Sequence, residues 1–491
     1  MSGFGPFRNE ITGPVSAFGE VCVIVPNPIV QIDSVRGVLD TDVETFVDAG
    51  ASGSASASGG QFVMTTGTAA GGYGVVRSIR ALRYRTGQGA LNRITCVFDT
   101  TAPASSLQLA GMFNLEDGLF FGYDGADFGV CRRTGGLATT VTLTLSAAAS
   151  GAETATVTLN GVEFTPSLTA GTAAFNAKEL AAATYTDWNV AQNGDTVVFT
   201  SRSVGVKAGA YTLTSTGTAA GTFAVDQAGV AHTYNWVKQT AWNVDKMDGR
   251  GPSRQILDPS KGNVYQIGYQ WLGYGAQFFA VEDSKTGAFQ IVHVNQYANL
   301  NTTPSLRNPT MKIGWAVASL GSTTALTIKG SSAAGFVEGA QESLRPPRAR
   351  SNTKTGIGTS PVNVLTIRNR GSWADGSLNH HEIVPLRVSI SSELSGNNTG
   401  TASVYLNPDV AGDPNFAYED SSNSLVEYDT AGTTVTNGTL IVALGMAKAD
   451  SQVIDLEPLG VRLAPGDRLV VAFTASGGTA ESTAALTWRE D

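Results

Sequence analysis

The chain has 491 residues, a formal net charge of −9, 15% charged residues, 57 Gly and 3 Cys. Charge this sparse beside 42% hydrophobic residues excludes an intrinsically disordered chain, and the glycines follow no three-residue period, which excludes collagen. The acidic balance argues against nucleic acid as the main partner, and no run approaches the ~18 apolar residues that cross a bilayer, so no membrane insertion is expected.

Residues 1–14 lack a basic stretch followed by an apolar one, so no secretory signal is expected. Short runs rich in Thr, Val, Tyr and Phe predict strands at 21–25, 94–98, 119–123, 140–145, 154–159, 196–200, 265–272, 289–294 and 469–473. Turn signals punctuate them, as at Asn160-Gly161, Asn193-Gly194-Asp195, Asn437-Gly438 and Pro465-Gly466-Asp467. The small-residue tract 52–60 reads as a flexible loop. Helix is predicted only at 175–183, rich in Ala, Leu, Glu and Lys, and at 333–343, before Pro346-Pro347. Cys22, Cys96 and Cys131 lie in strand-like apolar runs without a CxxC spacing, so they read as small packed hydrophobes.

Many short strands with regular turns predict an all-β fold of several sandwiches, jelly-roll or immunoglobulin-like. At roughly 150 residues per domain the length predicts about three domains. Composition divides the chain further. From 137 to 231 Thr, Ala and Gly dominate and basic residues thin out, which marks a small β-rich domain inserted into a split sandwich formed by 1–136 and 232–343. Residues 344–361, with Arg345, Arg348, Arg350, Lys354 and several prolines, read as a linker to a C-terminal sandwich over 362–491.

The chemistry-bearing residues make no specific constellation. Phosphate-loop, zinc-protease and hydrolase-elbow motifs are absent, so no catalytic residue, cofactor or metal is expected. His380-His381-Glu382 would point to alternate faces of a strand, and Asp124-Gly125-Ala126-Asp127 reads as a tight turn rather than a calcium loop. His232 and His293 read as structural histidines, and the acid pairs Glu282-Asp283, Glu419-Asp420 and Glu338/Glu342 as surface groups. The stripe Arg77, Arg80, Arg83, Arg85 stands out in an acidic chain. On a strand of period two, Arg77, Arg83 and Arg85 share a face, a candidate subunit or inter-domain contact with acidic partners, against a reading as a solvated strand face. Tyr269, Trp271 and Tyr274, beside Tyr265, are candidate glycan contacts by ring stacking, against a reading as packed core.

Residues 83–136 and 242–299 carry a recognisable wording: Trp242, Asn243, Asp245, then Met247-Asp248-Gly249, Gly251-Pro252-Ser253 and Gln270-Trp271-Leu272-Gly273. In this the chain resembles virion structural proteins of tailed bacteriophages and some large DNA viruses. The resemblance covers about residues 70–320 and includes the inserted stretch. It implies a non-enzymatic component of a tail fibre or baseplate, present in the virion and assembled in the host cytoplasm as a homotrimer or higher oligomer. Other virion proteins and a host surface glycan or receptor are the further partners it implies. A capsid decoration or head-fibre protein is the alternative, and a glycan-binding or depolymerising tailspike the second alternative.

Overall fold

The computed structural model describes residues 27–47, 52–101, 103–338, 345–373, 378–412 and 416–490. The expected strand 21–25 and Cys22 lie outside them. The fold is all-β, built of antiparallel sandwiches, and divides into two compact units: residues 1–136 with 231–342, and residues 137–230 with 343–491.

In the first unit a seven-stranded sheet runs, in spatial order, Thr233–Lys238, Asp127–Thr134, Gly118–Asp124, Ser106–Phe113, Lys312–Ser319, Tyr73–Ser78, Val43–Val47. A six-stranded sheet runs Asn27–Asp33, Ser332–Val337, Ala90–Cys96, Asn263–Tyr269, Gln277–Glu282, Phe289–Asn295. Their inner faces meet in one core, where Phe121 packs on Tyr265 at 4.7 Å and edge-on to Phe279 at 5.5 Å. Alternation explains who faces inward: Ala110, Met112, Leu119, Phe121, Ile313 and Trp315 project from one sheet, and Ile94, Cys96, Tyr265 and Ile267 from the other. The Trp315 indole donates to the Thr95 carbonyl at 2.8 Å, so this large buried ring leaves no orphan N–H.

Two larger cores lie in the second unit. Around one, four-stranded sheets of 137–230 enclose Val141, Leu143, Val157, Leu159 and Phe199. The helix Ala173–Ala182 closes it with Asn176, Ala177 and Leu180, and Thr172 caps the helix by accepting the Phe175 N–H. The other core lies between the four-stranded sheet Arg348–Ile357, Ala480–Glu490, Ile383–Leu394, Asp450–Asp455 and a six-stranded sheet that includes Val362–Asn369, Arg468–Ala475 and Gly400–Leu406.

Three expectations are overturned. Residues 344–361 are no linker: Arg348–Ile357 is a strand in register with Ala480–Glu490, because a polar run of alternating short and long side chains suits an edge strand. There the Lys354 ammonium donates to the carbonyls of Thr430, Ala431 and Gly432, which gives its N–H groups acceptors within the fold. The tract 52–60 contains the strand Ser54–Ser58, whose Ala55 and Ala57 pack on the core while the serines face out; the period of two outweighs the small-residue composition. Residues 333–343 do not begin a helix. Ser332–Val337 is a strand paired on both sides, and ladder hydrogen bonds outweigh the helix propensity of its alanines.

Candidate functional site

The residues that carry the resemblance form a clipped hairpin and a clipped turn, both in the first unit. After the edge strand Thr233–Lys238 the chain crosses to the far sheet, and Trp242 inserts edge-on to Phe121 and Phe128. Asn243 then clips the segment to the edge strand Phe289–Asn295: its amide donates to the Val294 carbonyl and its carbonyl accepts the Val294 N–H, both at 2.9 Å. The N–H groups of Val244 and Asp245 add bonds to the Val292 carbonyl. A hairpin follows, with Leu257 N–H to the Met247 carbonyl at 2.9 Å and Gly249 N–H to the Gln255 carbonyl at 2.8 Å. The buried Asp245 carboxylate holds it, accepting the N–H of Met247 and of Ser253, each at 2.8 Å. Gly251 is glycine because a Cβ there would lie 1.9 Å from that carboxylate.

The Gln270-Trp271-Leu272-Gly273 turn is fixed in the same manner. Trp271 donates to the Leu306 carbonyl at 3.1 Å and meets Tyr84 edge-on, while the Tyr84 hydroxyl accepts the Leu272 N–H. Leu272 and Gly273 both take positive φ, 39° and 79°. Tyr269 is buried in the core with its hydroxyl donating to the Pro309 carbonyl, so it is no glycan contact. Trp271 is half-buried, and of the three rings only Tyr274 is exposed, with its hydroxyl turned to the Thr302 carbonyl at 2.9 Å. The three therefore form no stacking platform.

The arginine stripe also dissolves. Its strand ends at Ser78, and the segment beyond is pinned by the Leu82–Met311 bridge, so period two does not carry from Arg77 to Arg83 and Arg85. Arg77 pairs within its own chain: Nε lies 2.5 Å from Glu44, which Lys312 also binds at 2.7 Å, and its guanidinium stacks over Phe46 at 4.8 Å. Arg83 and Arg85 are half-buried.

Other candidates are tied to the fold. Asp124 and Asp127 face each other across a two-residue turn, and Asp127 pairs with Lys238 at 2.7 Å. The His381 N–H donates to Asn379, and among the described residues no group of His, Cys, Asp and Glu could hold a metal. Asp283 and Asp420 accept N–H groups of their own turns, Glu419 lies 3.8 Å from Arg350, and Glu342 lies outside the described residues. His293 accepts the Asn243 N–H, and burial lowers its pKa. Cys96 and Cys131 are buried thiols whose pKa burial pushes up.

A set of buried carboxylates was not legible in the sequence. Asp117 accepts the N–H of Arg307 and Asn308 at 2.8 and 2.7 Å. Burial raises its pKa to about 6, against those hydrogen bonds. Nearby, the buried Arg133 donates to the carbonyls of Asn114 and Asp117 and lies over Phe113 and Phe120. His232 holds the Leu115 carbonyl at 2.7 Å, and burial, with the Arg133 charge, lowers its pKa to about 4. In the second unit Glu490 accepts Ser424 Oγ, the Leu425 N–H and the Trp488 indole. Asp429 accepts the N–H of Ala431 and Gly432, and Glu153 that of Ala219. Each carboxylate accepts at least one backbone N–H of a loop, an arrangement that fixes that loop. A cavity of about 300 Å³ in the first unit is lined by Gln31, Thr41, Asp42, Ser78 and Arg80 among others, and none of these clips opens into it.

No family model and no curated protein matches the chain. A solved structure of T=1 particles derived from infectious bursal virus is similar over 82% of this chain and 78% of that one, at 10% identity. Its TM-score of 0.12 is too low to carry an argument.

Proposed function

We propose that the chain is a non-enzymatic structural protein of a tailed-phage virion, placed in a tail fibre or baseplate and acting as a multimer. The observation that carries this reading is the use of the interior carboxylates: Asp117, Glu153, Asp245, Asp429 and Glu490 each bind loop backbone. Such clips stiffen the loops at the ends and edges of a sandwich, and stiff loops lose little entropy when they dock. Repetition of the chain in a particle would then turn weak individual contacts into firm attachment by raising effective concentration. The resemblance of residues 83–136 and 242–299 to phage virion proteins supports the same assignment.

The test is immunogold labelling of particles with antibody raised against the purified chain, together with adsorption of particles lacking it. Label at the tail and loss of adsorption are expected. Label spread over the head with adsorption intact assigns the chain to capsid decoration instead, and release of reducing sugar from host polysaccharide would overturn the non-enzymatic reading.

A further inference from the structure

The two larger sheets of the first unit end at the same two lateral edges, and each edge carries an exposed loop. On one side Asn27–Asp33 ends the six-stranded sheet, Val43–Val47 ends the seven-stranded sheet, and residues 34–42 join them. On the other side Phe289–Asn295 and Thr233–Lys238 are the end strands, and the clipped hairpin 245–257 is bonded onto Phe289–Asn295 through Asn243 and Val292. Six strands at about 4.8 Å place the two loops roughly 24 Å apart across the sheet.

The two loops are complementary. The hairpin exposes the aliphatic side chains of Val244 and Ile256, the latter 77% exposed, together with Lys246, Arg250 and Arg254. Its own acids Asp245 and Asp248 accept backbone N–H groups of the hairpin, which leaves the cations facing outward. Among the described residues none of these three cations makes an ion pair. The opposite loop exposes Val35, Val38 and Leu39, with Val35 82% exposed, beside the exposed Asp40 and Asp42, against the single cation Arg36. Phe46 and Val47 extend that apolar surface along a strand whose outer backbone edge has no neighbour in the sheet among the described residues.

A cationic aliphatic patch and an acidic aliphatic patch on opposite edges of one sandwich cannot meet within a chain. We propose that they meet between copies: the hairpin 245–257 of one copy docks on the 34–42 loop of the next, edge to edge. Such a contact is heterologous, so it generates a ring where the rotation closes and a filament where it does not. The chain's net charge of −9 makes the cationic hairpin the minority sign, and charge complementarity of this kind selects register and partner as well as adding affinity. This inference rests on the multimer part of the function proposed above and names the surface that builds it.

The experiment is the mass of the full chain in solution, by sedimentation and mass photometry across a concentration series. Wild type is expected as an oligomer that weakens with salt. Arg250→Glu with Arg254→Glu, and separately Asp40→Lys with Asp42→Lys, should each weaken association about tenfold or more. The chain carrying all four reversals should associate again, as should an equimolar mixture of the two double variants. All four positions are exposed, and matching circular dichroism spectra check the fold. Val35→Ser and Ile256→Ser test the apolar half without charge and should weaken association in the same direction. A monomeric wild type overturns both this contact and the multimer reading; an oligomer indifferent to the double reversals, or not restored by the fourfold one, overturns this contact alone.

Discussion

The Asp245 clip makes a quantitative prediction. The carboxylate is 1% exposed and accepts two backbone N–H groups at 2.8 Å, so Asp245→Ala removes two charge-assisted hydrogen bonds and strands their donors. At about 1.5–3 kcal/mol for each such bond, the loss is about 3–6 kcal/mol. For a unit of this size each kcal/mol moves the melting midpoint by roughly 2–4 °C, so calorimetry should find the first unit's transition lowered by about 10 °C. Gly251→Ala should act through the same atoms, since its Cβ would displace the carboxylate 1.9 Å away. The double variant should therefore fall short of the sum of the two single ones, because Asp245→Ala clears the carboxylate from the space the new methyl group needs. A midpoint for Asp245→Ala within 2 °C of wild type, or strict additivity in the cycle, would refute the clip as the hairpin's anchor, with the ~2 °C margin set by the same scaling.

Asp117, whose pKa is raised in the fold to about 6 from 3.8, contributes stability that is present below 3.8 and lost as pH rises through about 6. His232, lowered to about 4 from 6.5, contributes stability present above 6.5 and lost as pH falls toward 4. Acidification from pH 7.5 to 4.5 should thus destabilise Asp117→Asn more than wild type and His232→Gln less, and parallel melting profiles would refute both assignments. Gly330→Ala should destabilise by about 2–4 kcal/mol in urea titration, because its Cβ would lie 2.3 Å from the Trp315 indole, a rigid buried ring. Limited trypsin digestion should spare the bonds after Arg350 and Lys354, both within the strand Arg348–Ile357; early cleavage there would restore the linker reading.

The all-β class was legible because a strand writes itself locally: 154–159 alternates, Asn160-Gly161 turns, and the structure has Glu153–Leu159, a positive φ of 53° at Asn160, and Val162–Phe164. The helix Ala173–Ala182, expected at 175–183, was legible for the same reason, since the propensity of its Ala, Leu, Glu and Lys residues acts locally. The strands Ser54–Ser58 and Ser332–Val337 were missed because their composition is small and Ala-rich, and only pairing with distant partners makes them strands.

Side-chain roles divide along the same line. Residue types and turn glycines are local properties, and from them the sequence determined an all-β chain of sandwiches with short, sharply turned connections. Whether Arg77 faces another molecule or Glu44, and whether Tyr269 stacks on a ligand or lies in the core, depends on residues far away in the chain. The same holds for Asp117, which accepts the N–H of residues 190 and 191 positions distant, and for the two lateral edges that bring the 34–42 loop and the 245–257 hairpin to opposite sides. Only the tertiary structure decided these, because burial and charge pairing are set by sheet order, and sheet order is fixed by contacts between segments that no local pattern encodes.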